Sequence, residues 1–203
     1  MKLYHSPASP YVRKVMVLAQ ETGQLDKIEI VAVATTPLAP DANVAAANPI
    51  KKIPALVADD GMTLFDSPVI CEYLDSLHSG TKMFPQGKAR WEALRLQAAA
   101  DGLLDAALLV VYESRFREEA MRNQAWVDGQ LSKIDGALDA FEAAAGGFGD
   151  RVDIGTISIG CALGYIDFRL GHRDWRASRP QLSAWYKAFL ARPSMDATKP
   201  PAA

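Results

Sequence analysis

The sequence predicts two domains, a small α/β one followed by an all-α one, and three observations carry that expectation. Residues 1–80 alternate short β-branched runs with amphipathic helical ones, in the order β-α-β-loop-β-β-α. Around "TKMFPQG" the texture changes, and from Lys88 to about Arg192 the pattern is helical throughout. A length of 203 residues suits a pair of modest domains, placed at 1–80 and 86–203.

Each element has a local cause. "MKLYHS" has strand character, and "PYVRKVMVLAQETG" carries Val12, Val15, Met16 and Ala19 at helical spacing with Gly23 as its stop. "KIEIVAVAT" reads as a second strand, and "ATTPLAPDANVAAANP" as a long Pro-rich loop whose closure over a ligand, or role as a passive connector, stays open. "IPALVADD" and "MTLFD" form two strands joined at Asp60-Gly61, a favoured hairpin turn. "SPVICEYLDSLHSG" is a helix ending at Gly80. In the second part, helices break near Arg122-Asn123, at "AGGFGD" and at "RASRP". Asp153 in "DIGT" caps a central helix with Thr156 at N3, and Phe168 on that helix is assigned to core packing.

Composition narrows the function classes. With 49% apolar and 23% charged residues and a net charge of −2, this is an ordinary globular chain. Lys and Arg are scattered, so neither nucleic acid nor an anionic membrane surface is an expected partner. No apolar stretch approaches the roughly 18 residues of a membrane span, and the N-terminus has no continuous apolar run of a secretory signal, which points to the cytoplasm. Cys71 and Cys161 sit in apolar helical runs and read as buried reduced thiols. His5, His78 and His172 are isolated, so no metal site is expected.

Three short stretches can carry chemistry, and each also has a purely structural reading. Ser9 before Pro10 is a serine N-cap with proline at N1. The same helix mouth offers unpaired N–H groups and partial positive charge to an anion, and the hydroxyl can donate to it. Ile53-Pro54 opens a strand, either as an edge-strand proline or as a cis bond that leaves the Ile53 backbone to pair with an extended ligand. Ser67 and Pro68 repeat the N-cap pattern, with Asp66 beside them. A carboxylate at that helix mouth and an ammonium on Asp66 would together describe an α-amino acid moiety.

The element order, the "SPASPYVRK" turn, "NPIKKIPALV" and "FDSPVICEYL" together resemble the cytosolic glutathione S-transferase family, in particular its bacterial serine-type members. "ADGLLDAAL", "CALGYIDFR" and "RPSMDATKPP" extend the resemblance over nearly the whole chain. It implies a thioredoxin-like domain over 1–80 that binds glutathione and an all-helical domain over 86–203 that binds a small hydrophobic electrophile. It further implies a cytoplasmic homodimer that uses glutathione as co-substrate, with no permanently bound cofactor.

Residue by residue, the resemblance implies that Ser9 is the catalytic hydroxyl that holds the glutathione sulfur as thiolate, with Ser6 as its competitor. The backbone of Ile53, before a cis Pro54, would pair with the cysteinyl unit. Asp66 and Ser67 would hold the γ-glutamyl ammonium and carboxylate, and Lys52 would reach the glycyl carboxylate. Tyr11, Tyr112, Arg115 and Tyr165 fall where the electrophile pocket is expected, though packing explains them equally. Lys51 stands where the family commonly has glycine. A serine in place of a turn cysteine favours conjugation, addition or glutathione-dependent reduction over thiol transfer. A non-catalytic binding or regulatory module of the same fold is the alternative, as is use of glutathione for isomerisation or dehalogenation.

Overall fold

A computed structural model describes residues Met1–Pro201 and divides them into two compact units, Met1–Pro85 with Pro193–Pro201, and Gln86–Arg192. Residues 193–201, which the sequence groups with the helical part, therefore pack with the first unit. Residues 202 and 203 lie outside the described residues.

The first unit is built on a four-stranded sheet of order β2-β1-β3-β4, with β1 Lys2–His5, β2 Glu29–Ala32, β3 Ala55–Val57 and β4 Thr63–Leu64. β1 pairs parallel with β2, with Leu3 opposite Ile30, and antiparallel with β3, with Leu3 opposite Leu56. The parallel pair requires a crossover, and helix α1 (Pro10–Glu21) supplies it. This is the thioredoxin-like arrangement expected. Leu3, Leu56, Val15, Leu18, Ile70 and Leu74 are completely buried and form its core. Gly23 (φ +66°) and Gly61 (φ +88°) occupy the left-handed conformations that end α1 and turn the hairpin.

Two readings of this unit are corrected. The stretch taken as a loop contains α2, Ala42–Ala47, whose N-cap Asp41 accepts from the N–H groups of Asn43 (2.8 Å) and Val44 (3.1 Å). Helix α3 spans Ser67–Ser76 and stops four residues short of Gly80. Its end is set by Asp75, whose carboxylate accepts from the backbone N–H groups of Met83 (2.7 Å) and Phe84 (3.2 Å). Holding that returning chain ends the helix more effectively than a glycine signal would.

The second unit consists of α4 (Gly87–Phe116), α5 (Gln124–Ala145), α6 (Ile154–Arg169) and α7 (Pro180–Leu190). The break after α4 comes at Arg117, earlier than expected, with a short 3-10 turn at Glu119–Met121 before α5. α6 is the central helix, buried at every position from Ile154 to Ile166, and it packs against α4 and α7. Its start carries the expected capping box: Asp153 accepts from the Thr156 N–H (3.0 Å) and Thr156 Oγ1 accepts from the Asp153 N–H (3.0 Å). A Cβ on Gly155 would lie 2.9 Å from the Ala93 carbonyl oxygen and 2.9 Å from Leu96 Cβ, so the α4–α6 approach needs glycine there. Phe148, Trp185 and Phe189 form an aromatic cluster in the same unit, with ring separations of 5.1 and 4.9 Å along that chain. The last helix, α8 (Pro193–Ala197), returns to the first unit and packs on α1.

Candidate functional site

Three turns of the first unit present the predicted residues. At the first, between β1 and α1, the Ser9 N–H donates to the Ser6 carbonyl at 3.0 Å and closes the turn. Ser9 is the N-cap of α1, its Oγ accepting from the Val12 N–H at 3.3 Å, with Pro10 at the start of the helix. A hydroxyl that accepts in this way keeps its own proton to donate. Ser9 and Ser6 are both half-buried.

Beside Ser9 lies a small cleft of about 130 Å³, lined in part by Ser6, His5, Arg13 and, from the C-terminal segment, Thr198 and Lys199. Arg13 ties that segment down, donating to the Met195 carbonyl (3.0 Å) and to Thr198 Oγ1 (3.3 Å). Burial pushes the His5 imidazole below its ordinary pKa, which favours its neutral form. The C-terminal wall was not legible as part of this site, because about 190 residues separate it from the Ser9 turn, and His5, though only four residues from Ser9, was read as an isolated histidine.

At the second turn the Ile53-Pro54 bond is cis, which resolves the alternative left open by the sequence. Ile53 precedes the β3 ladder, which starts with Ala55 opposite Tyr4. Lys52 is exposed, and its carbonyl accepts from the Asn48 side-chain amide at 2.8 Å. The Asn48 side-chain oxygen accepts from the Ile50 N–H at 3.0 Å, so this buried asparagine, which sequence reasoning missed, braces the turn from both sides. Lys51 has φ +58°, the left-handed region that favours glycine, so the backbone keeps a glycine-type conformation without the glycine.

At the third turn, opening α3, the cap is Asp66 and not Ser67, a correction to the expected assignment. Asp66 Oδ1 accepts from the Ser67 N–H at 2.5 Å, and the Phe65-Asp66 peptide bond is cis. Relieved of capping, Ser67 is the first residue of the helix. It is completely buried, and its hydroxyl has no hydrogen-bond partner among the described residues. Asp66 is exposed. A buried hydroxyl without a partner costs free energy, and this one lies in the first turn of a helix, whose dipole favours an anion.

Of the residues expected near an electrophile, Tyr11 is half-buried on α1 of the first unit. The other three come together in the second unit. Tyr112 and Arg115 lie on the last turns of α4, and Tyr165 is buried near the end of α6. Burial raises the Tyr112 phenol, opposed by Arg115. Tyr165 is pushed up to about 12, first by burial, against the lowering effect of Arg169, which hydrogen-bonds its hydroxyl. Phe168 is half-buried instead of core, and the Arg169 guanidinium covers its ring at 3.8 Å. Sequence reasoning missed Arg169, whose place in the last turn of α6 looks like ordinary compensation of helix-end carbonyls.

Comparison with known proteins places this geometry. Residues 3–82 match the family model described as glutathione S-transferase, N-terminal domain, and residues 124–188 match glutathione S-transferase, C-terminal domain. The uncharacterized GST-like protein YibF of Escherichia coli is 36% identical, with 100% of both chains covered. A glutathione transferase family member from Pseudomonas fluorescens, solved with bound glutathione, superposes with a TM-score of 0.97 at 50% identity, covering 98% of each chain. A further structure from that organism, with bound S-(propanoic acid)-glutathione, gives a TM-score of 0.92 at 48% identity over 98% of this chain and 99% of the other. The serine-capped first helix, the cis proline before β3 and the acidic-serine start of α3 thus stand in a chain matched from end to end by these relatives, and the chain belongs to the glutathione S-transferase family.

Proposed function

We propose that the chain is a glutathione transferase: it binds glutathione in its first unit, stabilises the thiolate and promotes its attack on a small electrophile held by the helical unit. One observation carries the reading. The Ser67 hydroxyl is completely buried and partnerless at the mouth of a ten-residue helix, with the exposed Asp66 carboxylate next to it. That pair suits an amino acid head group, the hydroxyl and the positive end of the helix dipole taking the γ-glutamyl carboxylate and Asp66 taking the ammonium.

The remaining roles follow the same ligand along its length. The Ile53 backbone before Pro54 pairs with the cysteinyl unit, and Lys52 reaches the glycyl carboxylate. Ser9 donates to the sulfur from the N-terminus of α1. The relatives solved with glutathione and with an S-conjugate bound support this reading. A thiolate attacks an electrophilic carbon, the new S–C bond forms, and the displaced electron pair leaves with the leaving group or is protonated after addition. A cytoplasmic homodimer belongs to the same proposal, supported by the fully buried thiols of Cys71 and Cys161 and by the exposed apolar side chains of Met62, Val69 and Trp91.

The test is calorimetric titration with glutathione and with Cys-Gly, which lacks the γ-glutamyl group. Glutathione is expected to bind at least a hundredfold more tightly than the dipeptide. Equal affinities would remove Asp66 and Ser67 from the site, and failure of both to bind would overturn the function.

A further inference from the structure

Several arginines of the helical unit are held by carboxylates, and Arg122 by the main-chain carbonyls of Ser114 and Arg117. Arg117, Arg151, Arg173, Arg176 and Arg179 are each paired with a carboxylate, at 2.6 to 3.0 Å for their shortest contacts. Arg115 and Arg169 form no ion pair among the described residues, and Arg169 Nε is buried without a hydrogen-bond partner. The acidic residues that neighbour them in sequence are already engaged. Glu113 holds Arg117 and the Asn123 N–H, and Asp167 holds Arg176 and the Trp175 indole.

Arg115 and Arg169 each lie against aromatic groups. Arg169 lies over Phe168 at 3.8 Å and bonds the Tyr165 hydroxyl, while Arg115 lies 5.4 Å from the Phe116 ring, itself 4.9 Å from Tyr112. Tyr165 is within electrostatic reach of both arginines and of Tyr112. Compensation of helix-end carbonyls accounts for a cation on each helix. It does not account for two cations acting on one phenol without a carboxylate partner, or for a guanidinium nitrogen buried without an acceptor. An anion would satisfy both, and a planar carboxylate matches the guanidinium fork.

We infer that Arg115 and Arg169, with the hydroxyls of Tyr112 and Tyr165, form a carboxylate-binding cluster that selects electrophiles bearing an acid group. The inference rests on the proposed transferase reading for the identity of the other substrate. Phe116 and Phe168 supply an apolar margin that strengthens charge-assisted bonds by excluding water.

The test compares two thioethers of equal size, S-(2-carboxyethyl)glutathione and S-(2-carbamoylethyl)glutathione, by calorimetric titration beside glutathione itself. The acid is expected to bind about ten- to a hundredfold more tightly than the amide, the range of a charge-assisted bond. Arg115→Gln and Arg169→Gln each reduce that preference, Arg169→Lys retains part of it, and all three leave glutathione affinity unchanged. Arg115 is exposed, so its variant tests the cluster without disturbing the core. Equal binding of acid and amide by a protein that binds glutathione, or a preference that survives the double Gln variant, overturns the inference alone. A protein that binds none of the three overturns the transferase reading with it.

Discussion

Removing the Ser9 hydroxyl separates its two roles. As an N-cap it accepts from the Val12 N–H at 3.3 Å, a long bond, so Ser9→Ala is expected to cost about 0.5–1 kcal/mol of stability, the low end for a cap. In its proposed role as donor to bound thiolate it is worth more. Lowering a thiol pKa from about 8.5 to about 6.5 requires roughly 2.7 kcal/mol. One hydrogen bond to a charged group supplies about 1.5–3 kcal/mol and a helix N-terminus about 0.3–2. Loss of the bond then raises the bound thiol from about 6.5 to between about 7.6 and 8.5, and at pH 7 the thiolate fraction falls from about three quarters to between a fifth and a thirtieth. Intrinsic nucleophilicity rises with pKa and hides much of that loss in a rate. The discriminating assay is therefore ultraviolet absorption of enzyme-bound thiolate against pH, with wild type, Ser9→Ala and Ser6→Ala compared. A lowered pKa that Ser9→Ala leaves in place, and that Ser6→Ala abolishes, would refute the assignment of Ser9.

Three further outcomes are expected. Ser67→Ala removes a buried hydroxyl that makes no bond in the protein, so stability should hold or rise by up to about 1 kcal/mol, while glutathione affinity falls roughly ten- to a hundredfold; denaturant unfolding and calorimetry read the two. Lys51→Gly relieves a left-handed conformation worth about 1–2 kcal/mol and adds about 0.5–1 kcal/mol of chain flexibility, so a net gain of about 0.5–1 kcal/mol should appear as a higher unfolding midpoint. For Tyr165 the folded pKa, about 12, lies above the ordinary 10.0, so its contribution is complete below pH 10 and is lost as pH rises towards 12. Wild type should lose stability across that window faster than Tyr165→Phe, by about 1.4 kcal/mol per pH unit at most; parallel curves would contradict the burial assigned to this phenol.

The parts of the fold fixed by local chemistry were legible, and those fixed by distant contacts were not. Ser9 with Pro10, Asp153 with Thr156, and glycines 23 and 61 act within a few residues of themselves, and the structure keeps each as read. Helix α2 was missed because a six-residue run of small side chains has too little periodicity to register, and only the Asp41 cap announces it. The end of α3 was misplaced because Asp75 stops it by binding Met83 and Phe84, a contact that no window on the helix contains. At the third turn the sequence reading gave the helix cap to Ser67, and the structure gives it to Asp66. That difference matters, since a capping serine has its oxygen occupied whereas the observed one has its hydroxyl unspent. Arg169 was invisible for a different reason. Its significance lies in what it lacks, a carboxylate partner, and only tertiary structure reveals a missing partner.

The positions that look least favourable to folding lie along the proposed glutathione path. Ser67 is buried without a bond, and Lys51 holds a backbone angle better suited to glycine one residue before Lys52. Such costs persist where a ligand recovers them, and glutathione, with a carboxylate for Ser67 and an extended backbone for Ile53, is able to recover the first. The turn at Ser9 then limits the chemistry. A hydroxyl holds a thiolate by donating to it but cannot form a disulfide with it, and the chain's two thiols, Cys71 and Cys161, are completely buried. On the proposed reading the reactive sulfur belongs to glutathione alone. On that reading the bond formed runs from glutathione to the second substrate, and Arg115 and Arg169 are the groups proposed to select it.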